Sequence, residues 1–187
     1  MMGMVFTELL EMVEAKFSLD VVDAVLARAG AKGSYTSVGN YEDAEMVAIV
    51  TALSEETGLP VPALLQAFGG YMFGRFLTGF PAFFEAHDNA LGFLRGLESH
   101  VHTEVRKLYP AAHPPLFTWA DEADGGLSLV YRSRRGLWQF AQGLLDACLL
   151  HYGGQHYLDE IVDLSHGQGQ KVRFVIRAAA GRPSGAA

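Results

Sequence analysis

Residues 91–110, LGFLRGLESHVHTEVRKLYP, carry Leu91, Leu94, Val101, Val105 and Leu108 at helical spacing, which predicts a helix with one stripe facing a core. His102 lies at the margin of that stripe. His100 is turned from it by about 200° on a helix of about 3.6 residues per turn, toward the polar side. Two histidines so disposed cannot hold one metal from one straight helix. His102 alone would be offered to an apolar pocket, with nothing beside it to complete a zinc site. Taken by itself, a single imidazole in that position is more often a hydrogen-bonded boundary residue than a ligand.

Working outward, a second stretch changes that balance. The run 126–130 reads as a strand and leads into Tyr131-Arg132-Ser133-Arg134-Arg135. A strand's two-residue period puts Tyr131, Ser133 and Arg135 on one face, with no carboxylate among them, and turns Arg132 and Arg134 to solvent. A phenol, an alcohol and a guanidinium make a donor set for carboxylate or phosphate oxygens. The bland alternative is an ordinary strand end with Arg135 paired to an acidic side chain. An apolar pocket, one neutral nitrogen and a rim of anion donors suit haem, with its apolar ring, open iron and two propionates.

The chain has 187 residues, fits one domain and is long enough to bury a substantial core. Half of it is hydrophobic and its mean hydropathy is +0.15, which an interior pocket or a large core would explain. A net charge of −7 argues against nucleic acid and anionic membrane as partners, since both need a basic patch. The first twenty residues carry Glu8, Glu11 and Glu14 and do not read as a signal peptide. No stretch approaches the roughly 18–20 apolar residues of a membrane span. Cys148 is the one cysteine, which excludes an intrachain disulfide and suits a reducing cytoplasm.

Helices are predicted over 5–16, 19–29, 41–57, 61–78 and 137–152, with Ser18 as N-cap and Gly30 as stop of the second. The fourth is apolar almost all round and so buried, its Gly69 and Gly70 allowing something to pack closely. A loop covers 31–40, a short aromatic segment holds Phe80, Phe83 and Phe84, and 111–116 is stiff and extended around Pro114 and Pro115. Strands over 117–120 and 127–131 form one hairpin, and 157–165 and 171–178 a second. The fold class is α+β: a helical amino-terminal half and a carboxyl-terminal antiparallel sheet with packed helices. The expected organisation is a single domain over 1–178, with a helical part over 1–60, a cofactor-bearing part over 61–178, and a disordered tail over 179–187.

With these residues in view, the chain resembles the haem–nitric oxide/oxygen binding (H-NOX) domains of bacteria and of the soluble guanylate cyclases. The likeness runs from Met2-Gly3-Met4-Val5-Phe6 through His102 and Pro115 to the hairpin ending near Arg177, and the family's Tyr-x-Ser-x-Arg signature is unbroken at Tyr131, Ser133 and Arg135. The resemblance implies haem b (protoporphyrin IX iron) held by His102, with its propionates bound by Tyr131, Ser133 and Arg135. Pro115 would press on and bend the porphyrin, against the plain reading of a rigid turn. Gly3 and Val5 would begin a segment packed over the ring. The ligand-facing side would be lined by Val5, Leu9, Met72, Phe76, Phe140 and Leu144. Cys148 reads as a buried inert thiol rather than a thiolate ligand, and His100 as a solvated residue.

The resemblance further implies a sensor rather than an enzyme. Oxygen-binding members have a tyrosine at the position of Phe140, so five-coordinate ferrous haem here should bind nitric oxide (NO) and carbon monoxide (CO) but dioxygen poorly. Tyr71, next to Met72, would reverse this if its hydroxyl entered the pocket. The output would pass to a separate protein, such as a histidine kinase or a cyclic-di-GMP enzyme. Two rivals are a haem enzyme, peroxidase-like or NO-consuming, which would want a distal acid–base residue, and a haem-free interaction domain on the same fold.

Overall fold

The computed structural model describes residues 1–110 and 112–179, and of Leu108 the backbone alone. Helices α1 (Gly3–Lys16), α2 (Leu19–Ala29), α3 (Asp43–Thr57) and α4 (Val61–Gly79) come first. The boundaries of α2 follow from local chemistry. Ser18 Oγ accepts from Val21 N at 3.3 Å, and Gly30 closes the helix in the left-handed region at φ 63°. Two short helices, α5 (Pro81–Glu85) and α6 (Ala90–Gly96), then lead into a π-helical turn, Leu97–His102, and α7 (Thr103–Leu108).

The expected straight helix over 91–110 is therefore interrupted. Thr103 Oγ1 donates to the Glu98 carbonyl five residues back at 3.1 Å, which accompanies the widened turn. The aromatic segment before it is helical over Pro81–Glu85, about one and a half turns opened by Pro81.

Strands β1 (Leu116–Asp121) and β2 (Leu127–Arg132) form one antiparallel hairpin, and β3 (His156–Asp163) and β4 (Lys171–Ala178) a second. Helix α8 (Trp138–His151) connects them, and pairing of β2 with β4 joins the hairpins into one sheet of order β1-β2-β4-β3. Of the expected tail, Ala179 is tied down by its N–H on Gln155 O at 2.7 Å, and 180–187 lie outside the described residues. Among the described residues no helix is long and apolar enough to cross a membrane.

Two cores result. The first gathers Phe6, Leu9, Val13, Val25, Ile49 and Leu53 with the first half of α4, through Leu64, Leu65, Phe68 and Met72. The second joins Phe73, α6, α8 and the inner face of the sheet, Leu129, Tyr131, Val172, Phe174 and Ile176. Helices α4 and α8 cross at Gly69 and Gly143. A Cβ on Gly143 would run into the Gln66 carbonyl oxygen and lie 3.0 Å from Gly69 Cα, so both positions need glycine for backbone to meet backbone. Gly70 has no such neighbour closer than 4.0 Å. Because the obstruction is main chain, Gly143→Ala is expected to force the helices apart, costing about 1–3 kcal/mol or more. A urea melt of both proteins measures it, and an unchanged midpoint would contradict the crossing.

Candidate functional site

The seam between the two cores opens into a cavity of about 290 Å³. One wall comes from Met4 and Val5 of α1, Met72 and Phe76 of α4, and Phe140 and Leu144 of α8. The other comes from Leu97, Val101, His102 and Val105, followed by Pro115, Phe117 and Tyr131. Ser133 and Arg135 also line it. Almost every other lining group is apolar.

His102 is held from behind. Its Nδ1 lies 3.0 Å from Glu98 Oε2, and a carboxylate partner keeps the proton on Nδ1, leaving the Nε2 lone pair free. Nε2 has no hydrogen-bond partner among the described residues. Burial pulls the His102 pKa below its usual value, and the opposing pull of Glu98 does not restore it, so the ring is neutral at pH 7. Glu98 is itself partly buried, which would raise its pKa. Hydrogen bonds from Arg106, His102 and the Phe117 N–H outweigh this and keep it ionised. Among the described residues no three His, Cys, Asp or Glu side chains converge as a metal site. The neutral His102 imidazole therefore faces the cavity as a single nitrogen donor.

The anion donors are brought together differently from the strand-face expectation. The strand ends at Arg132, and Ser133 and Arg135 sit on the turn that follows, closed by Gly136 at φ 65°. Burial pushes the Tyr131 phenol pKa up, and a hydrogen bond with Ser133 only partly offsets it, so the phenol stays a donor. Part of the bland alternative holds, since Arg135 is paired to an acidic side chain. Asp43, the first residue of α3, accepts from Arg135 Nε at 2.7 Å, while Arg135 Nη1 donates to His113 O at 2.6 Å. Partial burial would raise the Asp43 pKa, but Arg135 and the chain's amino group hold it below the usual carboxylate range. Arg135 Nη2 has no hydrogen-bond partner among the described residues, so part of the fork is left for an anion.

Other expected positions divide. Val5, Met72, Phe76, Phe140, Leu144 and Pro115 line the cavity. Leu9 does not; it is buried in the first core, one turn of α1 beyond Val5. Gly3 faces the 31–40 loop, donating to Gly39 O at 2.7 Å. Tyr71 is off the wall and packs on the first core within the electrostatic reach of Glu8 and Arg75. His100 is exposed. Cys148 lines the cavity, but burial pushes its pKa up to about 12, so it is an unreactive thiol at neutral pH.

The sequence reading missed Glu98, Asp43 and Tyr109, the last of which also lines the cavity. Glu98 was detectable, standing four residues before His102 on a helix. Asp43 left no signal, being 92 residues from Arg135.

The profile of the haem-NO-binding family matches residues 2–158. This chain belongs to the H-NOX family. It is similar to the Fe(II) unliganded H-NOX protein from K. algicida (29% identity, 100% of both chains, TM-score 0.87), and its fold is the H-NOX fold. It is also similar to an H-NOX from Shewanella woodyi solved in the Fe(II)CO ligation state with IWP-051 bound (35% identity, 98% of both chains, TM-score 0.80). Soluble guanylate cyclase gcy-31 of Caenorhabditis elegans is 32% identical over 124 residues, 63% of this chain. The H-NOX chain spans 17% of the length of that cyclase.

Proposed function

We propose that this H-NOX domain is a haem-based sensor of NO and CO that passes its signal to a separate protein. The observation that carries the reading is a neutral, half-buried His102 whose Nε2 is left free in an apolar cavity. The donor set fits haem b: Tyr131, Ser133 and the free Nη2 of Arg135 would bind propionate oxygens, with Pro115 against the ring. Ferrous haem, when bound, supplies an open iron position that takes up diatomic gases.

The chain's own residues then set selectivity. Val5, Met72, Phe76, Phe140 and Leu144 exclude water and offer no N–H or O–H to a bound gas. Dioxygen, which takes on negative charge when bound, loses a stabilisation of roughly 1–3 kcal/mol for want of one donor, while NO does not need it. Among the described residues, the apolar wall carries no acid–base residue opposite His102, which weighs against a peroxidase-like or NO-consuming enzyme. A partner that prefers one position of the Leu97–His102 turn would read whether His102 holds iron or is released. A histidine kinase or a cyclic-di-GMP enzyme would serve, and the lone cysteine suits a reducing cytoplasm.

Optical spectra of the purified ferrous protein, alone and with CO, NO and air, test this. Expected are a five-coordinate ferrous spectrum, changes with CO and NO, and no lasting oxygen complex. Failure to take up haem would end the reading in favour of a haem-free interaction domain.

A further inference from the structure

Glu98 does more than accept one hydrogen bond. Oε2 takes His102 Nδ1 at 3.0 Å and the Phe117 N–H at 3.3 Å, and Oε1 takes Arg106 Nη2 at 2.6 Å. The Glu98 carbonyl is engaged as well, by Thr103 Oγ1. One carboxylate thus ties the π-helical turn to α7 and to the start of β1, two residues past Pro115. The Phe117 ring lies between the His102 ring at 5.8 Å and the Tyr131 ring at 5.7 Å. His102 is therefore braced on one side by Glu98 and on another by a ring that also packs on Tyr131.

We propose that Glu98 is the positioning residue that aims His102 and sets its donor strength toward iron, with Arg106 as its counterweight. The proposal rests on His102 being the haem ligand. A negatively charged acceptor on Nδ1–H pushes electron density onto Nε2 and strengthens its bond to a metal. Arg106 draws part of the carboxylate's charge onto its own hydrogen bond and so weakens the push. The two side chains act on His102 with opposite signs. A merely structural brace has no such sign, because loosening either end would disturb the turn in the same direction.

The test uses the haem-loaded protein and two variants, Glu98→Gln and Arg106→Met. Two quantities are read: the iron–histidine stretching band of the ferrous form by resonance Raman, and the share of NO-bound haem that keeps its histidine bond. Gln preserves an acceptor but removes the charge, so the band is expected to move down and the ratio of histidine-bound to histidine-free haem to fall about tenfold. Arg106→Met is expected to move both upward. Shifts of the same sign in both variants, or no shift at unchanged haem content, overturn the proposal. If Glu98→Gln does not fold, the Arg106→Met band decides alone: upward supports, unmoved or downward overturns. Haem that binds through His102 but ignores both variants removes only the role of Glu98. A wild-type protein that takes up no haem removes the sensor reading and this proposal together.

Discussion

Replacing His102 with glycine is expected to lower haem retention by more than about tenfold, the loss already typical when an outer-shell partner of a metal ligand is removed. Among the described residues, the imidazole is the one side-chain nitrogen that this cavity presents with a free lone pair backed by a carboxylate. With it gone, haem would be held only by apolar packing and by the proposed propionate donors Tyr131, Ser133 and Arg135 at the rim. Free imidazole added to the variant fills the vacated space and restores the ferrous spectrum. Pigment per mole of protein and an imidazole titration measure both effects. A variant with wild-type pigment and no response to imidazole would show that iron is tethered elsewhere.

Phe140→Tyr is expected to raise dioxygen affinity by about 10- to 100-fold, from one new hydrogen bond of roughly 1–3 kcal/mol to a negatively charged ligand atom. Phe140 lines the cavity from α8, with its ring 5.0 Å from that of Phe68. Its place on the wall is set by the Gly69–Gly143 crossing in the adjoining turn, where Gly69 also abuts the Phe140 carbonyl. A hydroxyl there enters a wall with no other donor. CO gains little from it, so the ratio of oxygen to CO affinity should rise and thereby isolate the hydrogen bond from a general change of pocket shape. Phe140→Leu is the control and should leave oxygen binding weak. An oxygen complex already stable in the unmodified protein, or none in Phe140→Tyr, would contradict this account of selectivity.

Much of this architecture was legible one segment at a time. The Ser18 cap and Gly30 stop bound α2 at Leu19–Ala29, and β4 runs over Lys171–Ala178 as its alternating pattern predicts, because caps, stops and two-residue periods are short-range effects. Where segments had to be placed against each other, local pattern failed. Val5 and Leu9 share one face of α1, yet one turn of about 5.4 Å carries Leu9 past the cavity into the first core. The π-helical turn was hidden because six residues are too few to separate its period from that of an α-helix.

The amino-acid order alone specified an α+β domain with a lone histidine at the edge of an apolar helix and three anion donors after a strand. Those are properties of neighbours along the chain, and side-chain period reports them. Only the tertiary structure decided that β2 pairs with β4, that Asp43 already occupies part of Arg135, and that Glu98 joins His102 to β1. Beyond the four-residue step from Glu98 to His102, these contacts join segments that lie 19 to 92 residues apart, and no periodic pattern within one helix or strand encodes which distant group will fill a given hydrogen bond.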